Sequence, residues 1–297
     1  MLRGYDAHAG FFAPALASRA LWRLVVGFAV AGAIYVGCSQ VYFGALYTLI
    51  GPRSAALFGD LLAGTTPAAM FALLGSFAFM TLGVAIVVRF LHRRSLASVL
   101  GPRHLFMPQF RAVLGAAAIL GVVVFILPPW DMGGTLTPNM PFGRWALLLP
   151  FSLAVVFLQV SAEEIVFRGY VQQQLAARFR SPLMWMVLPA ALFALGHYLP
   201  DQAGENAGII ALWAGLFGML MADLTARAGS LGPAIAVHFA NNVSAIVLTS
   251  LPDDLSGLAL FLTPFGMDDA DALRAWLPVD FALMLVGWLA ARLAIRR

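Results

Sequence analysis

Eight apolar runs, each close to the length of a membrane span, divide this sequence and constrain its fold more than any other feature. A helix that rises about 1.5 Å per residue needs about 20 apolar residues to cross a hydrocarbon core about 30 Å thick. The runs therefore predict an all-α fold, a polytopic transmembrane helical bundle of about eight spans. The predicted spans cover residues 24–50, 68–91, 112–128, 145–168, 183–199, 207–226, 234–251 and 276–295.

The composition supports a membrane protein, because 61% of the 297 residues are hydrophobic and only 11% are charged. Soluble domains usually have about a quarter of their residues charged. We interpret residues 1–23 as a cytoplasmic N-terminal lead-in, since they lack the short apolar core and cleavage site of a signal peptide. Residues 24–295 then form the transmembrane domain. The fourth helix is expected to continue past the membrane through the sequence YVQQQLAAR at 170–178.

The arginines are unevenly divided between the two ends of the predicted spans. Loops rich in arginine stay in the cytoplasm, so this asymmetry predicts that both termini are cytoplasmic. The predicted cytoplasmic side holds Arg3, Arg19, Arg23, Arg89, Arg93, Arg94, Arg103, Arg111, Arg178, Arg180, Arg227, Arg292, Arg296 and Arg297. The opposite side holds Arg53, Arg144 and Arg274.

The same arginines bear on the partners of the protein. They occur singly or in pairs between apolar runs, which is typical of membrane flanks and not of a nucleic-acid surface. The predicted partners are therefore membrane lipids, with no nucleic acid. Cys38 is the single cysteine of the chain, so an intrachain disulfide is impossible.

Two of the three glutamates, Glu163 and Glu164, lie side by side late in the fourth predicted span. A carboxylate in hydrocarbon costs several kcal/mol, so such residues face the protein interior and usually mark a functional site. The alternative is a solvated charge cluster at the helix end. Glu164 and Arg168 are four residues apart, which predicts an ion pair. Glu163 points about 100° away from that pair and has no local cation, so it is the candidate general base.

Two histidines also fall within predicted spans, His197 in the fifth and His238 in the seventh. If the fourth and fifth spans turn near Arg180, His197 reaches the same depth as Glu163. His238 shares a helix face with Asn242, four residues on, although its closeness to its own turn predicts a shallower position. Each could instead be an ordinary packing or hydrogen-bonding residue. Phe193, one turn before His197, is expected to pack beside it.

Familiar nucleophile and metal motifs are missing from the sequence. There is no His-Glu-x-x-His, no Gly-x-Ser-x-Gly elbow and no glycine-rich phosphate loop. One free carboxylate, two imidazoles and an amide in apolar helices suit the activation of water and the stabilisation of an oxyanion. Glu163, His197 and His238 would equally make a three-ligand set for Zn²⁺, and both interpretations stay open at this point.

Three motifs in one order resemble the CPBP family, also called the Abi or CAAX protease family, which includes the type II CAAX prenyl endopeptidases. Its Glu-Glu-x-x-x-Arg motif reads EEIVFR at 163–168 and is extended by Gly169 and Tyr170. Its Phe-x-x-x-His motif reads FALGH at 193–197, and its His-x-x-x-Asn motif reads HFANN at 238–242. The resemblance covers about residues 145–250. One departure is Gly232, where many bacterial relatives carry a bulky aromatic residue before the proline.

The resemblance implies roles for these residues. Glu163 and His197 would activate the attacking water, and His238 and Asn242 would stabilise the tetrahedral intermediate or help to hold a metal. Glu164 and Arg168, with Phe193, would support the site. The donors and acceptors suffice without an ion, so we expect a metal-free reaction, with a divalent metal such as Zn²⁺ as the alternative.

The function predicted in this way is an intramembrane endopeptidase that cleaves a hydrophobic or lipid-anchored protein or peptide. The resemblance implies a multi-pass protein of the bacterial cytoplasmic membrane. One alternative is a membrane immunity or scaffold protein that keeps the motifs without turnover. Another is a proton-coupled transporter, which is disfavoured because no inverted repeat of broken helices is evident.

Overall fold

The computed structural model describes residues 4–51, 54–127, 134–267 and 269–296. Its described part is built of helices, with three strands of two residues each, which confirms the predicted all-α class. Three arginines that entered the topology prediction lie outside the described residues: Arg3, Arg53 and Arg297.

The helices are numbered in chain order. They are α1 Asp6–Phe12, α2 Leu21–Ile50, α3 Ser54–Asp60, α4 Pro67–Gly75, α5 Ala78–Phe90, α6 Ala97–Leu100, α7 Arg103–Ile126, α8 Phe142–Glu164, α9 Gln173–Arg178, α10 Leu188–Gly196, α11 Pro200–Ala203, α12 Ala207–Ala228, α13 Gly232–Val243 and α14 Ala270–Ala294. Three π-helical segments, Ile165–Gln172, Leu183–Val187 and Ser244–Leu248, continue or precede neighbouring helices. Short 3₁₀ turns occur at Ala13–Ser18, Gly204–Asn206 and Ser256–Leu258.

Every predicted span coincides with an apolar helix. Among the described residues, six helices are long and apolar enough to cross a membrane: Leu21–Ile50, Pro67–Phe90, Arg103–Ile126, Phe142–Arg178, Pro200–Ala228 and Ala270–Ala294. The fifth and seventh predicted spans correspond to the shorter apolar helices Leu183–Gly196 and Gly232–Leu248. The protein is therefore an integral membrane protein with a polytopic helical bundle, and the number of crossings stays a prediction.

One helix boundary agrees with the sequence prediction, and another differs from it by nine residues. The fourth helix runs on to Arg178, as the sequence YVQQQLAAR predicted. α7, which corresponds to the third predicted span, begins at Arg103, nine residues before the predicted start at residue 112. It includes Pro108 in its interior. Its first two turns carry polar and basic side chains, which hid the helix from a search for apolar runs.

The loops at each end of the bundle contact one another. At one end, the backbone N–H of Leu231 donates to the carbonyl of Leu100 at 3.0 Å. At the other, the N–H of Gly257 donates to the carbonyl of Gly64 at 2.8 Å. Loops that the topology prediction places on the same side of the membrane thus contact each other at the same end of the bundle. Which end faces the cytoplasm stays a prediction.

A small sheet closes the predicted outer end. β1 Thr137–Pro138 pairs antiparallel with β3 Phe261–Leu262, which pairs parallel with β2 Thr249–Ser250. The side-chain amide of Asn139 donates to two loop carbonyls at 2.8 and 2.9 Å. Trp145 Nε1 donates to the carbonyl of Val247, in the π-helical segment Ser244–Leu248 that follows α13, at 2.9 Å. These bonds tie the start of α8 to the end of the helix that follows α13.

The N-terminal residues pack onto the bundle. Phe11 is 1% exposed, and Tyr5 Oη donates to Asp223 of α12 at 2.6 Å. His8 is buried against the ring of Trp185, with ring centroids 4.4 Å apart, and its Nε2 lies 3.5 Å from the amide nitrogen of Gln172. Burial lowers the pKa of His8 from 6.5 to about 4.

The glycine that departs from the family pattern, Gly232, lies where α7 crosses the start of α13. A Cβ placed on it would come within van der Waals overlap of the carbonyl of Phe106 and 3.1 Å from the backbone nitrogen of Phe110. The backbone of α7 therefore fills the space that an aromatic side chain would need. Replacement of this glycine is expected to separate the two helices.

We predict that Gly232→Phe lowers the free energy of unfolding by about 1–3 kcal/mol, since overpacking forces backbone shifts. The measurement is thermal unfolding of the purified protein in detergent. Gly121→Phe is the matched control, because a Cβ at Gly121 of α7 meets open space. Equal stability of the two variants would contradict this close helix contact.

We predict that the stability contributed by neutral His8 is complete above pH 6.5 and is lost as the pH falls towards 4. In that interval the unfolded chain binds the proton and the folded chain does not, and the effect amounts to at most about 3 kcal/mol. Thermal unfolding between pH 7 and pH 4 should therefore be less pH-dependent in His8→Gln than in the natural protein. His104→Gln, at an exposed histidine, should leave the pH dependence unchanged, and an identical profile for all three proteins would refute the assignment.

Candidate active site

The two adjacent glutamates lie where α8 passes into the π-helical segment Ile165–Gln172. π-helical turns within α-helices are frequent at functional sites. Glu163 is 8% exposed and Glu164 is 0% exposed. The solvated charge cluster considered above is therefore wrong, since both carboxylates face the interior of the bundle.

Glu164 makes the predicted ion pair and a second contact that the sequence did not reveal. Its Oε1 accepts a hydrogen bond from Arg168 Nη1 at 2.9 Å. The same oxygen lies 2.8 Å from His238 Nδ1, which must donate to it because the carboxylate oxygen only accepts. Glu164 thereby joins α8 to α13, and its charge is committed to these two partners.

Arg168 is fully buried, and residues of two other helices lie against its guanidinium group. Its Cζ lies 4.6 Å from the ring centroid of Phe193 in α10. On α12, a Cβ added to Gly218 would lie 3.2 Å from Arg168 Nη2, so the glycine leaves room for the guanidinium. The ion pair therefore depends on α10 and α12 as well as on α8.

Glu163 differs from its neighbour in its partners. Its Oε2 lies 3.6 Å from His238 Nε2, too far for a hydrogen bond. That oxygen is buried, and no described group donates to it. Oε2 of Glu164 is also buried without a donor, so the two acids differ in Oε1, which in Glu164 accepts from Arg168 and His238. Among the described residues, no group donates a hydrogen bond to the side chain of Glu163. Because buried carboxylates are normally hydrogen-bonded, Glu163 is the candidate for the acid that accepts a proton.

His238 lies at the depth of the glutamates, which the sequence did not predict. Leu231, in the turn before α13, lies against Gly169, where an added Cβ would be 3.1 Å from the leucine side chain. His238 is seven residues beyond Leu231, and Glu163 is six residues before Gly169 on an antiparallel helix. The helix Phe142–Arg178 extends beyond the level of the turn at Leu231. Closeness of His238 to this turn therefore does not place it at a shallower level than the glutamates.

His197 lies at the end of α10 and is half-buried. Its Nδ1 lies 2.8 Å from the carbonyl of Phe193, so Nδ1 carries the proton and Nε2 is left as an acceptor. Its ring packs on Phe193 with centroids 4.3 Å apart, as predicted, and the same phenyl ring contacts His238 at 6.2 Å. Within the described residues His197 forms no ion pair with Glu163.

Asn242 is held by a residue that the sequence analysis missed. Its Nδ2 donates to Gln159 Oε1 at 3.0 Å, and its Oδ1 accepts from Asn241 at 3.1 Å. Gln159 is buried and lies one turn before Glu163 on the same helix face. That spacing of a polar residue in an apolar helix is the signal by which it could have been found.

Phe217 of α12 is a second residue that the sequence did not single out. Its ring meets that of His238 edge to face, with centroids 4.9 Å apart. It is one of 23 phenylalanines and stands outside the three motifs, so nothing in the sequence marks it. With Phe193, it fixes the plane of the imidazole.

The alternative zinc set of Glu163, His197 and His238 stays a prediction. Among the described residues, no three His, Cys, Asp or Glu side chains are grouped so as to hold a metal ion. The hydrogen bonds of His238 Nδ1 to Glu164 and of His197 Nδ1 to a carbonyl leave Nε2 of each imidazole as the nitrogen that could act as a ligand. Imidazoles that bind a metal commonly donate from their other nitrogen in this way.

Fold and site together define a polytopic membrane protein with an acid–histidine centre inside its helical bundle. Residues 144–244 match the family model described as type II CAAX prenyl endopeptidase Rce1-like. This segment contains all three motifs and every candidate residue of the site. The match confirms the resemblance to the CAAX protease family found in the sequence.

A bacterial relative extends the similarity beyond this segment. The chain is 25% identical over 245 residues to the uncharacterized protein YyaK of Bacillus subtilis (strain 168), an alignment that covers 78% of this chain and 79% of the relative. Helices outside the matched domain thus also have counterparts in that protein. No solved structure matches the chain.

We predict that Arg168→Met destabilises the protein by about 3–5 kcal/mol, because it leaves a buried carboxylate short of a partner. Adding Glu164→Gln to the same protein should restore a large part of that loss, since the buried charge is then removed. Thermal unfolding in detergent measures both effects. If the double variant is less stable than Arg168→Met alone, the ion pair is not what holds this region.

Proposed function

We propose that the protein is an intramembrane endopeptidase and that Glu163 activates the water that hydrolyses the peptide bond. The observation that carries this proposal is the pairing pattern of the two acids. Oε1 of Glu164 is bound by both Arg168 and His238, and only its Oε2 lacks a donor, whereas the buried side chain of Glu163 accepts no hydrogen bond at all from the described residues. The family match of residues 144–244 supports a protease.

In the proposed first step, Glu163 takes a proton from water while the water oxygen bonds to the carbonyl carbon of the substrate. The electron pair of the C=O double bond moves to the carbonyl oxygen, which becomes an oxyanion. His197 Nε2, left as an acceptor by the bond from Nδ1 to Phe193, would orient the same water through its second hydrogen.

Two groups of α13 are suited to stabilise the oxyanion. In its protonated form, with Nδ1–H on Glu164, His238 donates from Nε2, the nitrogen that faces Glu163. Asn242 uses one amide hydrogen on Gln159 and has the second available. Donors fixed before the reaction act strongly in a site that excludes water.

In the proposed second step, the tetrahedral intermediate collapses and the C–N bond breaks. The carboxylic acid of Glu163 then returns its proton to the leaving amine, so Glu163 ends as it began. Glu164, Arg168 and Phe193 position His238 and His197 and take no part in proton transfer.

The surroundings of the site indicate the class of substrate. Aromatic rings of Phe193 and Phe217 line the two imidazoles. The glutamates lie in a helix long and apolar enough to cross a membrane, and the histidines lie in or at the end of shorter apolar helices. We therefore propose a hydrophobic or lipid-anchored protein or peptide as the substrate. The similarity to a Bacillus protein supports a bacterial cytoplasmic membrane as the setting.

We predict that Glu163→Gln lowers hydrolysis of a membrane-tethered peptide by about 10²–10⁴-fold, the usual contribution of a general base. The amide keeps the shape of the side chain, so thermal unfolding should be nearly unchanged. The assay uses purified protein in lipid vesicles with prenylated and unmodified C-terminal peptides, and product is detected by mass spectrometry.

Glu205→Gln is the matched control for that variant. Glu205 is the third glutamate of the chain, and its side chain is 82% exposed beside Arg274. This control should retain full turnover. Full turnover in Glu163→Gln as well would contradict the proposed base, and it would favour a membrane scaffold or immunity protein that keeps the motifs without catalysis.

A further inference from the structure

A cavity of about 750 Å³ opens at the predicted cytoplasmic end, away from the glutamates. It lies between the N-terminal residues and the hairpin that joins the fourth and fifth helices. Rings of Tyr5, Phe12 and Trp185 form part of its wall. The hairpin begins at Arg178, 14 residues beyond Glu164, which is about 20 Å along a helix. The cavity is therefore separate from the proposed catalytic site.

Three arginines line this cavity: Arg19, Arg178 and Arg180. All three side chains are exposed. No aspartate or glutamate is among the lining residues, and no described carboxylate forms an ion pair with any of the three. The cavity thus combines a largely aromatic wall with concentrated positive charge, which suits an amphiphilic anion.

The position of the cavity relative to the membrane helices identifies the source of that anion. Arg19 precedes α2, whose first turns expose Trp22 (58%) and Val25 (66%). Arg180 precedes the fifth helix, which exposes Leu183 (70%) in its first turn. Both apolar surfaces begin beside the arginines and run into the membrane, so acyl chains could lie along them while a phosphate contacts the guanidinium groups.

We propose that this cavity binds the phosphodiester headgroup of an anionic phospholipid from the cytoplasmic leaflet. Each arginine near the membrane surface adds attraction for anionic lipid, and a guanidinium group binds phosphate oxygens through paired donors. A cavity of this volume is in the range that accommodates small-molecule ligands. A zwitterionic lipid would leave the positive charge of the cavity unbalanced.

The test uses the full chain in a neutral detergent, with the midpoint of thermal unfolding measured against the concentration of dioctanoyl phosphatidylglycerol. We expect a saturable rise in the midpoint and no comparable rise with dioctanoyl phosphatidylcholine or inorganic phosphate. The variant R19Q/R178Q/R180Q should bind the anionic lipid about 100-fold more weakly, since each arginine contributes about fivefold.

The matched control is R89Q/R93Q/R103Q, which removes the same charge from exposed arginines of the same predicted side that do not line the cavity. It should bind within about twofold of the natural protein if the cavity, and not surface charge in general, is the site. An equal loss in both triple variants overturns the proposal. So does an equal response to inorganic phosphate, which would indicate a site for free anions, or a response that does not saturate.

Discussion

One carboxylate oxygen, Oε1 of Glu164, holds the helices of the site together, because both Arg168 and His238 bind it. Burial of an unpaired charge costs several kcal/mol, and good pairing recovers that cost. The position of α13 relative to α8 is therefore strongly constrained. Stacking of Arg168 on Phe193 extends the same constraint to α10. As a result, Glu164 is committed to structure, and Glu163 is the acid whose side chain accepts no hydrogen bond from the described residues.

Much of this arrangement could be predicted because it follows from local helix geometry. Apolar run length located every long helix, and the four-residue spacing of Glu164 and Arg168 predicted their ion pair. The packing of His197 on Phe193 followed from the same spacing. Order and spacing of three short motifs also sufficed to find the resemblance to the CAAX protease family, which the family match of residues 144–244 supports. Each of these inferences needs only the spacing of residues within one helix or the order of motifs along the sequence.

The remaining features depend on contacts between distant helices, which spacing along one helix cannot supply. The level of His238 was misjudged because the fourth helix extends beyond the turn at Leu231. Gly232 could not be explained until the backbone of α7 was seen beside it. Which nitrogen of each imidazole is already hydrogen-bonded also depends on neighbours such as Glu164, so the sequence could not assign it. Phe217 had no signal because aromatic residues are common in such helices.

The central claim is that His238 is coupled to Glu164 more strongly than to Glu163, which leaves Glu163 free. Double-mutant cycles that combine His238→Gln with Glu164→Gln or with Glu163→Gln, read by chemical unfolding in mild detergent, measure both couplings directly. The account predicts a coupling of about 1–3 kcal/mol for the Glu164 pair and a clearly smaller one for the Glu163 pair. An equal or larger coupling between His238 and Glu163 would contradict it.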